Sequence, residues 1–172
     1  CKVAAFEDTK SAQLGSYLPT DLEMDADETV TWVIDPEDYK ADVLFVFENG
    51  RVARVALSGY ATKTNRKRLK NAIYGGSKLM YATVLKEERD LALVSSDFRL
   101  VNFNTSLLKT KTTNSTQGVQ ALTIKGSRTV TMVGTAEEFI GSKAQVEKFR
   151  AEKLPSAGAP MKETDMKSLF DL

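Results

Sequence analysis

"LFVFENGRVARV", residues 44–55, decides the fold. Its apolar run ends at Asn49-Gly50, a pair whose residues both tolerate positive φ and which is a strong hairpin signal. Beyond it Val52, Arg54 and Ala56 alternate with Ala53, Val55 and Leu57. That is the period-two pattern of a strand with one buried face. The stretch therefore reads as a β-hairpin with a basic residue, Arg51, opening its second strand.

Two other stretches follow the same plan: "VAAFEDTKSAQL" from Val3 and "LALVSSDFRLVNF" from Leu91. Aligning Lys10, Arg51 and Arg99 gives spacings of 41 and 48 residues. Units of roughly 40 to 50 residues built of strands and turns belong to propeller-like arrays of four-stranded blades. Further strands are expected at "TVTWVID" (29–35), "KLMYATVL" (78–85), "GVQALTI" (118–124) and "TVTMVG" (129–134), with Gly75-Gly76 as a turn. The expected layout is three blade-like repeats starting near 3, 44 and 91 in a domain over 1–134, possibly an incomplete ring, followed by a tail over 135–172.

Net charge is only +1, but the charges are segregated along the chain. Residues 1–43 carry three Lys against eleven acids, a balance of −8. Residues 44–134 carry fifteen Lys and Arg against five acids, a balance of +10. Such a split suits a surface for nucleic acid or anionic membrane. "ATKTNRKRLKNAIYGGSK", residues 61–78, holds six bases and no acid. Part of it recurs: "TKTNRKRLKNA" from Thr62 matches "TKTTNSTQGVQA" from Thr110, shifted by the same 48 residues as the arginines. A recurring polar inter-strand loop is more than a solvated charge run.

The ordered set "LFVFENGRVARVALSGYATKTNRKRLKNA" and "LVSSDFRLVNFNTSLLKTKTTNSTQGVQALTIK" resembles the C-terminal domain of the A subunit of bacterial type II topoisomerases, DNA gyrase and topoisomerase IV. It is most similar to versions from clostridia and their relatives, over about residues 1–134 and weakly into "FRAEKLPSAGAP", 149–160. The resemblance implies an all-β fold, a β-pinwheel in which blades exchange strands, whose basic rim binds and bends duplex DNA. It implies DNA contacts at Arg51 and Arg54, at Lys63, Arg66, Lys67, Arg68 and Lys70, and at Arg99, Lys109 and Lys111. Arg51 and Arg99 have another reading, as turn-stabilising partners of Glu48 and Asp97. The resemblance further implies a monomeric domain in a cytoplasmic, nucleoid-associated parent, with the catalytic core of the same subunit and an ATPase B subunit as partners. ATP and Mg2+ would act elsewhere in that parent. The Gln-Arg-Gly-rich "gyrase box" is missing, its nearest analogue being "NRKRLKN", 65–71, so supercoiling against decatenation stays open.

No catalytic residue is expected in this chain. It has no His and one Cys, Cys1, which removes the commonest general base and any internal disulfide. None of its five tyrosines adjoins an arginine, the pairing that the parent's cleavage chemistry uses. No Walker-type loop, apolar membrane span or signal pattern is present, and a first residue of Cys suggests a piece of a longer protein. "DLEMDADE", 21–28, could offer Asp25, Asp27 and Glu28 to a cation, but reads better as an acidic loop. Trp32, Phe45, Phe47, Phe98 and Phe103 are expected in blade cores, with Trp32 buried. A short helix is expected over 142–154, ended by Pro155, with a loose extension beyond that covers a blade edge. The competing function is a propeller-like protein-interaction module whose basic loop meets an acidic partner.

Overall fold

The computed structural model describes residues 8–62, 69–140, 146–162 and 165. They form two four-stranded antiparallel sheets and very little helix. The hairpin read from 44–55 is present as β1 (Asp42–Phe47) and β2 (Arg51–Ala56), with Val43 opposite Val55 and Phe45 opposite Ala53. β3 (Leu79–Leu85) pairs with the other edge of β1. The second hairpin is β4 (Asp90–Ser95) and β5 (Arg99–Asn104), flanked by β7 (Val130–Gly134).

Each blade is completed by a strand from further along the chain. β6 (Val119–Gln120) lies in sequence between β5 and β7, both in the second sheet, yet it pairs with β2 of the first. β8 (Ala159–Pro160) closes the second sheet on β5 in the same way. The orders β3-β1-β2-β6 and β7-β4-β5-β8 are therefore one plan used twice. Even the irregularities repeat: the outer pairing slips register at Val46/Phe47 and again at Val94/Ser95, 48 residues on.

Alternation along the strands gives each sheet two apolar faces. Leu44, Val46 and Val52 of blade 1 meet Leu91, Leu93, Val101 and Phe103 of blade 2 in a core between the sheets, joined by Leu108, Ala121 and Leu122. The outer face of blade 1, with Val43, Phe45, Phe47 and Val55, is covered by Leu57, Ile34, Tyr39, Tyr60 and Ile73. The outer face of blade 2, with Ala92, Val94 and Leu100, is covered by Ala136, Ile140, Val146, Phe149 and Met161. Ala136 opens a one-turn helix (Ala136–Phe139) set by a capping box: the Thr135 hydroxyl takes the Glu138 N–H, and the Glu138 carboxylate takes the Thr135 N–H.

Several expectations are corrected. Two blades, not three, are formed by the described residues: 8–14 make an exposed turn in which Lys10 opens no strand, and 1–7 lie outside the described residues. Residues 29–35 join no sheet among the described residues, so Trp32, with no strand above it, is 41% exposed rather than buried. Residues 118–124 belong to the first unit's sheet and form a strand of two residues only, because the chain crosses between blades there. Phe98 is 51% exposed because it occupies the left-handed turn position, φ 55°, that Gly50 fills in blade 1 at φ 79°. Phe45, Phe47 and Phe103 are buried as expected. The helix expected over 142–154 has stopped by Phe149, where Arg150 and Ala151 bridge to β5 instead; 141–145 lie outside the described residues.

Candidate nucleic-acid interface

The two aligned arginines do a structural job that their sequence neighbourhood does not reveal. Arg51 donates from Nη1 to the Gly118 carbonyl at 3.4 Å. Arg99 donates from Nε to the Ala157 carbonyl at 2.8 Å and from Nη2 to that of Gly158 at 2.6 Å. Gly118 and Gly158 have φ of 67° and 63° and stand immediately before β6 and β8. Each arginine thus clamps the crossing strand of its own blade. The turn-stabilising alternative gives way to this role, and Asp97 is taken up elsewhere. It accepts from the Ser95 hydroxyl and pairs with Arg128 at 3.3 Å, which together hold its carboxyl below the usual range.

The same strands dock on the hairpin turns. The Gly50 carbonyl accepts the N–H groups of Ala121 and Leu122, and the Phe98 carbonyl accepts that of Met161. A Cβ on Gly50 would run into the Leu122 carbonyl oxygen, so the close approach as well as the positive φ requires glycine there.

Arg54 is also committed. Its guanidinium reaches Asp42 at 2.6 Å and Glu88 at 2.7 Å, with the carbonyls of Thr105 and Leu108 at 3.5 Å. Its side chain is 17% exposed. Burial works against the charge, but the hydrogen bonds to Asp42 and Glu88 outweigh it and hold the guanidinium even more firmly protonated. Glu88 in turn is held below the usual carboxylate range by the Thr105 hydroxyl first and by Arg54 second. The group joins β2 of blade 1 to the strand approach and turn of blade 2, a clamp between blades.

The remaining predicted cations are placed differently. Lys70, Lys109 and Lys111 are exposed and make no ion pair among the described residues. The Lys111 backbone is fixed on both sides, its N–H on the Arg54 carbonyl and its C=O taking the Ala56 N–H, so the side chain projects from a rigid base. Thr110 between the two lysines donates to Asp42 at 2.7 Å. Lys63, Arg66, Lys67 and Arg68 lie outside the described residues. Lys78, at the far end of the basic stretch, is exposed at the opposite end of blade 1, where its carbonyl takes the Glu48 N–H.

The two recurring polar loops meet. The Asn114 amide donates to the Gly59 carbonyl at 3.0 Å, which seats loop 108–118 against the 3-10 turn Leu57–Tyr60 from which the basic stretch departs. The Tyr60 hydroxyl donates to the Ala72 carbonyl at 2.7 Å and ties the returning end of that stretch to the same turn. Burial pushes the Tyr60 pKa up to about 12, so this tie is intact at neutral pH. Sequence reasoning missed Tyr60, Gly59 and Asn114; the 48-residue match of the loops was the one signal pointing to them. Among the described residues no group of side chains could hold a metal ion, and no helix is long and apolar enough to cross a membrane.

No family model and no curated relative matches the sequence. Solved structures do. The chain superposes on the C-terminal domain of a DNA topoisomerase IV with a TM-score of 0.71 at 19% identity, over 81% of this chain and 45% of that one. It matches the E. coli ParC C-terminal domain at 0.68 and 14% identity, over 90% and 69%. A DNA gyrase A C-terminal domain matches at 0.51 and 16%, over 74% and 47%. The chain spans about half the length of the first of these, and shares with them the all-β pinwheel fold that its exchanged strands display.

Proposed function

We propose that this chain is a non-catalytic DNA-binding and DNA-bending part of the A subunit of a bacterial type II topoisomerase, presenting a duplex segment to a strand-passage core elsewhere in the parent. The observation that carries the reading is the meeting of two repeat-related loops at one turn, with Lys109 and Lys111 on one and Lys70 on the other. Wrapping a duplex takes many phosphate contacts and little base reading, which unpaired lysines on fixed loops supply. Bending a 20–30 bp site by tens of degrees costs on the order of 1–6 kcal/mol, an amount that several such contacts offset.

Contact is assigned foremost to Lys70, Lys109 and Lys111, together with Lys63, Arg66, Lys67 and Arg68 of the same basic stretch. Arg51, Arg99 and Arg54 are assigned to holding the exchanged strands and the blade–blade joint that carry those loops. ATP and Mg2+ belong to other parts of the parent enzyme.

The test is a gel-shift and bending assay on duplexes of increasing length, comparing the chain with a variant carrying Ala at Arg66, Lys67, Arg68 and Lys70. Affinity that grows with duplex length, accompanied by bending and weakened in the variant, supports the reading. Absence of binding at low salt, or binding indifferent to length and to the four substitutions, refutes it.

A further inference from the structure

The pole of the molecule that the DNA reading leaves unused is acidic and apolar at once. Residues 21–38 contain eight Asp and Glu and no Lys or Arg. Along the same segment Val30, Trp32 and Val33 are 46%, 41% and 84% exposed. Exposed apolar side chains gathered in one segment mark an interaction surface far better than scattered ones do.

These residues border a cleft of about 560 Å3 between segment 22–34 and the outer face of blade 1. Leu22 and Met24 line one wall, Phe45 and Leu79 the floor, and Val30 and Trp32 the mouth. Trp32 is held edge-on to Tyr81, ring centroids 5.5 Å apart. Asp21, Glu23 and Asp25 alternate with Leu22 and Met24 and are exposed where those two are half-buried, so an apolar cleft carries a carboxylate rim. A cleft of roughly 300–1,000 Å3 accepts a few large side chains.

We propose that this cleft docks a basic protein segment that inserts apolar side chains beside Trp32 while its Lys or Arg residues face the carboxylate rim. Charge complementarity selects that occupant. A polyanion is repelled by the rim, an acidic peptide likewise, and a purely apolar partner leaves the rim uncompensated. A second copy of this chain is disfavoured because the same acidic rim would face itself if the two poles met. Placing the protein-binding surface on the acidic segment and the DNA surface on the basic loops lets both be occupied together. The inference does not depend on the DNA reading.

Trp32 is the sole tryptophan and serves as the reporter. The full chain is titrated, without DNA, with a tryptophan-free peptide alternating Lys and Leu, with its Glu–Leu counterpart, and with a Lys–Ser peptide of equal charge. The expected result is a saturable blue shift of Trp32 emission with the Lys–Leu peptide alone. Val30→Asp at the mouth and the paired exposed substitutions Asp21→Lys and Asp27→Lys should each weaken that binding by about tenfold, the equivalent of 1.4 kcal/mol. Circular dichroism of each variant confirms that it is folded. No saturable shift, an equal shift with Glu–Leu or Lys–Ser, or unchanged affinity in both folded variants overturns the proposal. A blue shift that grows with protein concentration in the absence of peptide overturns it in favour of a second copy.

Discussion

Blade 1 and blade 2 begin with the same carboxylate and neutralise it from different segments. Asp42 at the start of β1 is met by Arg54 from the paired strand and by Thr110 from the crossing linker. Asp90, 48 residues on, is met by Asn104 and by Arg150, which stands on the second linker where Thr110 stands on the first. Arg54 has its counterpart in Asn102, whose side-chain amide is fully buried and has no hydrogen-bond partner. The cation has moved from strand to linker, and the strand position it vacated holds a polar group in an apolar face. A repeat thus fixes an electrostatic role and a topology more strictly than it fixes which residue performs them.

The turns differ in the same spirit. Gly50 and Phe98 share a backbone conformation, and only glycine adopts it without steric cost.

The sharpest contrast lies within one hairpin. Phe103→Ala empties the core between the blades and should cost about 3–5 kcal/mol in denaturant unfolding, whereas Phe98→Ala should be close to neutral. Equal losses would dissolve the distinction between strand and turn aromatics. Arg54→Met should cost about 2–4 kcal/mol, since it strands Asp42 at 15% exposure with Thr110 as its remaining partner. Arg150→Met should cost less, because Asp90 is 33% exposed and keeps Asn104. Asn102→Val should stabilise by about 1–2 kcal/mol by removing an unpaired buried amide from the face it shares with Ala92 and Leu100. Phe98→Gly should raise the melting temperature slightly, by relief of about 1 kcal/mol of left-handed strain.

Acid should act first on the blade–blade clamp. Glu88 titrates below its unfolded value near 4.5, so its contribution is complete above that pH and is lost as pH falls through the lower folded value. Glu88→Gln should flatten the pH dependence of stability in that acidic range, because no carboxylate is left there to protonate. A stability curve equally steep in the variant would place the acid sensitivity elsewhere.

The hairpins, their 48-residue spacing and the matching loops were legible in the sequence because alternation and turn chemistry are local. The exchanged strands were not. β6 and β8 are two residues each, too short to carry a period, and the clamps on them run from Arg51 and Arg99 to backbone carbonyls 67 and 59 residues away. No side-chain pattern announces a carbonyl acceptor, so those arginines looked like free rim charges. The exposure of Phe98 was within reach, since its alignment with Gly50 marks a turn position. Trp32 was not, because its segment has strand composition but no strand to pair with among the described residues.

The central claim is that the loops joined at Gly59 and Tyr60 bind duplex phosphates. It is tested most directly by the slope of log affinity against log salt for one long duplex, measured for the chain and for a variant with Ala at Lys70, Lys109 and Lys111. Each lysine–phosphate pairing removed should reduce the slope by about 0.9, so the account predicts a variant slope shallower by about 2–3, with affinity lowered alike on unrelated DNA sequences. An unchanged slope and affinity in the folded variant would contradict it.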